Sequence, residues 1–166
     1  MRSWLDRLVA LICAVLHAPV FGLLAAAILL ESGTPVIFRQ IRVGRYGVPF
    51  TIYRFRSMYA DTDGAAITRR NESRITPLGR ILRTLKLDEL PQLWNVLKGD
   101  MALVGPRPEV PKFVNLAEPT WQTVLSVRPG LTDQATLRYR DEERLLEHAA
   151  DVESYYRDEV LPASSA

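Results

Sequence analysis

An α+β protein on a membrane element is the fold class this sequence predicts: a small, mostly helical domain with a short β-hairpin behind an N-terminal apolar helix. Three observations carry that expectation. "LVALICAVLHAPVFGLLAAAILL", from Leu8 to Leu30, holds no Asp, Glu, Lys or Arg. "VIFRQIRV" and "PFTIYRFRSM" are rich in β-branched and aromatic residues and are joined by a short glycine-bounded turn. From Thr76 onward, helix start and stop signals follow one another. The 166 residues have room for one domain with a real core, with residues 1–31 as the membrane element and residues 32–166 as the rest.

The apolar run is long enough to cross a bilayer, for which about 20 helical residues suffice. It is longer than the core of a cleavable signal peptide, and no obvious mature start follows it. Arg2 and Arg7 precede it, and Arg39, Arg42, Arg45, Arg54 and Arg56 follow it, so both flanks carry the positive charge of cytoplasmic segments. In its middle lies His17-Ala18-Pro19, with Gly22 a turn later. Proline removes a backbone hydrogen bond and bends a helix, and an imidazole is costly in lipid. Two topologies satisfy these residues: a helix that breaks at Pro19 and returns to the side it entered, and a kinked spanning helix with its N-terminus outside.

Glu31-Ser32-Gly33-Thr34-Pro35 is a turn cluster, after which the two β stretches form a hairpin closed by Gly44 to Gly47. Arg54 and Arg56 fall on one face of the second strand. Ala60 to Ser73 is polar and patternless, a loop. Thr76-Pro77 is an N-cap followed by first-turn proline. The helix that follows gathers Leu78, Ile81, Leu82 and Leu85 on one face, with Arg80, Arg83 and Lys86 elsewhere; such a face packs on a core or lies among lipid headgroups. A second helix runs from about Leu90 to Lys98 and stops at Gly99. "MALVGPRP" reads as a short buried strand entering a proline-fixed loop, and beyond Pro129-Gly130 the tail reads as mostly helical.

Composition narrows the function. A net charge of +2 gives no ground for a nucleic-acid partner. Only Lys86, Lys98 and Lys112 are lysines, and the remaining basic residues are arginines, whose planar forks suit phosphate and carboxylate, although genomic base composition produces the same bias. Cys13 is the single cysteine; it can form no internal disulfide, and it marks neither a zinc site nor a redox pair. There is no Walker loop, no dinucleotide-binding glycine turn and no Ser-His-Asp set.

What remains is "LKLDELPQLWNVLKGDMALVGPRPEV". Pro91 is tolerated only in a first helical turn, which places Asp88 at the N-cap, where a cap and a dipole-complementing Glu89 together stabilise by roughly 1 kcal/mol. The same two carboxylates can share a divalent cation and, beside arginines, supply what phosphoryl chemistry needs: a nucleophile, charge neutralisation and a held substrate. Pro106 and Pro108 fix the backbone on either side of Arg107 and preorganise its guanidinium, where an ordinary surface loop would leave it solvated.

In "PVIFRQIRVG", "FTIYRFRSM", "LGRILRTLKLDELPQLWNVLKGDMALVGPRPE" and "VRPGLT" the chain resembles the bacterial sugar transferases known as small monotopic phosphoglycosyl transferases, over the stretch from the membrane run to about Tyr139. The resemblance implies a two-step reaction that starts lipid-linked glycan assembly (O-antigen, capsule, exopolysaccharide or glycoprotein). Asp88 would attack the β-phosphate of a UDP-sugar, expel UMP and carry the phospho-sugar until undecaprenyl phosphate takes it. Glu89 would be its partner in Mg²⁺ binding or acid–base work, with both carboxylates as metal ligands. Arg107 would hold substrate phosphate with Arg83 and Arg54, and Arg56, Arg128, Pro106 and Pro108 belong to the same implied substrate-binding set. The resemblance further implies a re-entrant membrane element broken at Pro19, contact with membrane lipid, and a catalytic domain on the cytoplasmic face of the bacterial inner membrane. A homodimer is compatible with it. The rival readings are a non-catalytic membrane scaffold, in which the dyad is only a helix cap, and an inactive relative.

Overall fold

The computed structural model describes residues 3–59 and 73–132. Most of the expected loop from Ala60 to Ser73, and the expected helical tail from residue 133 on, lie outside the described residues.

Helices α1 (Ser3–Leu16) and α2 (Ala18–Ser32) meet at His17 and are bent by 62°. Pro19, in the first turn of α2, has no N–H to give to the preceding turn. The His17 ring turns back instead, with Nδ1 2.8 Å from the Cys13 carbonyl that also accepts the His17 backbone N–H. Among the described residues no single helix is long and apolar enough to cross a membrane, but this bent pair is when taken together. Its outer surface is bare hydrocarbon: Leu11, Val15, Leu16, Leu23 and Leu30 are all at least half exposed.

Strands β1 (Ile37–Val43) and β2 (Pro49–Phe55) form the expected antiparallel hairpin, in register from Ile37 opposite Phe55 to Val43 opposite Pro49. The hairpin packs against both N-terminal helices. Ala10 of α1 packs with Ile52, Leu93, Val96 and Met101, while Ile28 of α2 packs with Phe55 and Leu82. A third cluster, Val43, Val110, Phe113, Trp121 and Leu125, closes the far end of the hairpin.

Helix α3 (Pro77–Thr84) begins as expected, with the Thr76 hydroxyl accepting from the Gly79 N–H, and Glu31 at the end of α2 accepts from the Leu78 N–H at 2.8 Å. Its apolar face is divided: Leu82 is buried, whereas Ile81 and Leu85 are exposed. The expected second helix is split. Leu87–Gln92 is a 3-10 helix and only Leu93–Lys98 (α4) is α-helical. The cause is Pro91, whose ring opposes the carbonyl four residues back, so the α-helix starts only after it and the preceding turns tighten. Gly99 ends α4 at φ 89, as expected of a left-handed C-cap. Asn95, fully buried, clamps α4 to β2 by accepting from the Tyr53 N–H and donating to the Thr51 carbonyl.

Strand β3 (Ala102–Val104) is shorter and less buried than expected: Ala102 is enclosed but Val104 is exposed, because its only described partner is the three-residue β4 (Gly130–Thr132), which lies parallel to it. Between them α5 (Pro119–Val124) contributes Trp121 to the core. Gly105 and Gly130 touch backbone to backbone, and a Cβ on either would collide with the other segment. That approach lets the Gly130 N–H reach the Pro106 carbonyl at 2.9 Å.

Candidate active site

Asp88 and Glu89 stand on the 3-10 helix between α3 and α4, with β2 packed against it. The helix cap is not Asp88, as its position before Pro91 had led us to expect, but Lys86, and Asp88 makes no capping bond. The tight turn shifts the start two residues earlier, with Lys86 in the left-handed region at φ 58 and its carbonyl accepting the Glu89 N–H. The dyad is thereby freed for other contacts.

Those contacts come from β2. Arg54 donates through Nη2 to Glu89 Oε1 at 2.9 Å, and its Nη1 lies 3.9 Å from Asp88 Oδ2. Asp88 is 5% exposed, and its Oδ1 is enclosed without a hydrogen-bond partner. A buried polar atom left unpaired costs stability and calls for an explanation, of which a catalytic role is one. Burial pushes the Asp88 carboxyl above its ordinary value; Arg54 opposes this and the neighbouring Glu89 charge reinforces it. Burial acts on Glu89 in the same direction, but Arg54, Arg107, Lys86 and Arg83 together outweigh it and hold that carboxyl below its ordinary value. Two adjacent acids are thus driven apart, the pattern by which sites give paired carboxylates different work.

Of the residues singled out in the sequence, the structure brings Asp88, Glu89 and Arg54 into contact and sets Arg83 and Arg107 close enough to act on Glu89. Arg56 goes elsewhere. It lies just past the end of β2, is buried, and donates through Nη2 to the Ser32 carbonyl, the Ser32 hydroxyl and the Gly33 carbonyl at the end of α2. Two-residue spacing put it on the face of Arg54, but the strand stops at Phe55 and its direction is lost. Arg128 takes part through its backbone, its carbonyl lying against Gly105, with no hydrogen bond or ion pair to the dyad among the described residues. Pro106 and Pro108 flank Arg107, and the Pro106 carbonyl is held by Gly130. Lys86, which the sequence pattern places on a polar helix face, acts on both acids; the sequence signal for it is its place two residues before Asp88.

Among the described residues no group of three or more His, Cys, Asp or Glu gathers around a point. The described residues thus offer no cage of protein ligands. A magnesium ion fits, because it needs only one or two carboxylates and takes its other ligands from water and substrate phosphates, and the unpaired Oδ1 of Asp88 is an oxygen of the right kind.

An α+β domain with two adjacent acids, Asp88 buried and Glu89 partly so, beside Arg54, Arg83 and Arg107 is the class that fold and site define. The chain belongs to the bacterial sugar transferase family, whose sequence model it matches over residues 1–163. It is 45% identical over 139 residues to a UDP-glucose:undecaprenyl-phosphate glucose-1-phosphate transferase of Caulobacter vibrioides, covering 81% of this chain and 52% of that protein. It is 43% identical over 116 residues to the uncharacterized sugar transferase EpsL of Bacillus subtilis, covering 70% of this chain and 57% of the other. A UDP-N-acetylgalactosamine-undecaprenyl-phosphate N-acetylgalactosaminephosphotransferase of Aeromonas hydrophila is 43% identical over 140 residues, which are 81% of this chain and 33% of that one. The chain spans between a third and three fifths of the length of these relatives.

Proposed function

We propose that this chain is a phosphoglycosyl transferase, moving a sugar-1-phosphate from a UDP-sugar to undecaprenyl phosphate with Asp88 as nucleophile. The observation that carries the reading is the enclosed, unpaired Oδ1 of Asp88 beside Arg54 and Glu89. A carboxylate stripped of water is a better nucleophile than a solvated one, and here its other oxygen faces a fixed guanidinium. A carboxylate oxygen of Asp88 attacks the β-phosphorus, the bond to the bridging oxygen breaks, and UMP leaves with that oxygen and its electron pair. Asp88 then holds the phospho-sugar as a mixed anhydride. A phosphate oxygen of the lipid attacks the same phosphorus, Asp88 departs as carboxylate, and a polyprenyl diphosphate sugar results.

Arg54 and Arg107 neutralise charge on the transferring phosphoryl group, and Arg83 and Lys86 extend the cationic rim. Glu89, held below its ordinary value, stays ionised and keeps Arg54 in place. Asp88 and Glu89 would hold a magnesium ion, which supplies charge neutralisation on the diphosphate when bound. The relatives whose names state both substrates, a UDP-sugar and undecaprenyl phosphate, support the substrate classes.

The second substrate is a lipid, so the site belongs near headgroups. The bare α1–α2 surface and the exposed Ile81 and Leu85 of α3 supply an apolar underside beside arginines, as an interfacial protein needs. The bend at His17 and positive flanks at both ends favour a re-entrant pair that keeps the domain on the cytoplasmic face of the bacterial inner membrane. A scaffold whose dyad only caps a helix is disfavoured, since Asp88 caps nothing.

The test is UMP release by detergent-purified protein from a panel of UDP-sugars with Mg²⁺ and undecaprenyl phosphate. Release with at least one sugar, lost in Asp88→Asn, is expected; equal release by the variant would remove Asp88 as nucleophile.

A further inference from the structure

The loop that carries Arg107 is held on both sides, and one of the holders is an arginine of β1. Arg42 spreads its fork over three partners: Nε and Nη2 donate to Gln40 Oε1 at 3.0 and 2.7 Å, Nη1 donates to the Pro108 carbonyl at 3.1 Å, and Nη1 lies 3.8 Å from Glu109 Oε2. The next residue adds a backbone tie, the Val43 N–H donating to the Glu109 carbonyl at 2.8 Å. Glu109 is buried, and the Arg42 side chain is only 14% exposed. On the other side of Arg107, the Gly130 N–H holds the Pro106 carbonyl at 2.9 Å.

Torsions show what these ties accomplish. Proline fixes φ at 106 and at 108, and a residue before proline is confined to extended backbone, which restricts Arg107. Apart from the torsions of Arg107 itself, the backbone freedom left in the triplet is ψ at the two prolines, which is the rotation of their carbonyls. Gly130 holds one carbonyl and Arg42 holds the other.

We propose that Arg42 is a positioning residue for the transfer reaction: by fixing the Pro108 carbonyl it sets the direction in which Arg107 is presented to substrate phosphate. The inference rests on the transferase reading given above. It requires a planar fork, because a lysine ammonium cannot serve Gln40, Pro108 and Glu109 at once.

The experiment is a double-mutant cycle on the full chain in detergent with Mg²⁺, using the UDP-sugar that releases UMP. Arg42→Gln is expected to raise KM for that sugar nucleotide about 10- to 100-fold, the range for one lost charge-assisted contact, with kcat changed less. A purely structural role would lower the active fraction and leave KM alone. In the Arg107→Gln background Arg42→Gln should add less than about two-fold, because its route to substrate is already gone. Additive costs, or an unchanged KM, overturn the proposal. If Arg42→Gln does not fold, Arg42→Lys is held to the same criteria. Amide hydrogen exchange gives a readout that needs no turnover: it should rise from Gly105 to Val110 in the Arg42 variant and stay unchanged across α3. A wild type that releases no UMP defeats the transferase reading alone, and unchanged exchange in the loop defeats the positioning role alone.

Discussion

Arg54 and Glu89 are joined by a 2.9 Å ion pair between β2 and the 3-10 helix, and the same guanidinium extends its other nitrogen towards Asp88. One side chain from the hairpin thus sets the electrostatics of both acids. Arg54→Ala leaves the half-buried Glu89 without that partner and should lower the rate of UMP release by about 10²- to 10³-fold, the range for removing one preorganised electrostatic group. Arg54→Lys keeps the charge but cannot serve two carboxylates, so an intermediate loss is expected. Steady-state kinetics of the two variants would show this as a graded series, and wild-type rates in the alanine variant would contradict it.

The opposite displacements of the two acids predict opposite effects on stability. The Asp88 carboxyl is raised above the usual 3.8 by burial, so the fold prefers it protonated. Its penalty is absent in acid, develops as pH rises from the unfolded value through the folded one, and persists at neutral pH. Asp88→Asn, in EDTA, should therefore melt above the wild type at pH 7, with the gap narrowing towards pH 4. Glu89 is lowered, so its contribution is present at neutral pH and is lost as pH falls through its folded value. Glu89→Gln should melt below the wild type at pH 7, with the gap closing in acid. Thermal melts across that range decide the matter, and an Asp88→Asn protein that is less stable at neutral pH would refute the burial argument.

Local chemistry made much of this fold legible. Thr76-Pro77, Gly99 and the hairpin follow from caps, turns and alternation that operate within a few residues. What escaped was settled by longer contacts or by one exception. Pro91 tightened the turn and moved the cap from Asp88 to Lys86, and the end of β2 sent Arg56 away from Arg54. The dyad and Arg107 were legible as residue types, whereas the ties that hold the loop, from Arg42 and Gly130, depend on backbone approaches that no spacing announces.

Arg56 supplies a contrast to Arg54. It donates to three acceptors at the end of α2, where the helix dipole favours a cation, and it is nearly enclosed. Arg56→Gln should destabilise by about 2–4 kcal/mol through lost charge-assisted bonds and stranded carbonyls. The KM for UDP-sugar of the folded fraction should remain near that of the wild type. A large rise in KM with unchanged melting would return Arg56 to the substrate-binding set.

The proposed re-entrant topology makes a prediction at Pro19. Leucine at this position restores an N–H for the preceding turn and removes the ring clash, an effect of about 3 kcal/mol or more in favour of a continuous helix. A straight helix over Ser3 to Ser32 would be about 45 Å long, more than the roughly 30 Å hydrocarbon core, so it cannot remain in one leaflet unless it lies flat. Straightening also conflicts with the docking of α1, whose Ala10 is buried against Ile52 and Val96 and whose Arg7 donates to the Lys98 carbonyl. With Cys13→Ala removing the native thiol, a cysteine placed by Ser3→Cys should react with a membrane-impermeant maleimide only in inside-out vesicles. Adding Pro19→Leu should move a fraction of that labelling to intact spheroplasts and lower thermal stability. Labelling from the outer side with Pro19 in place would mean that the bent pair crosses the membrane.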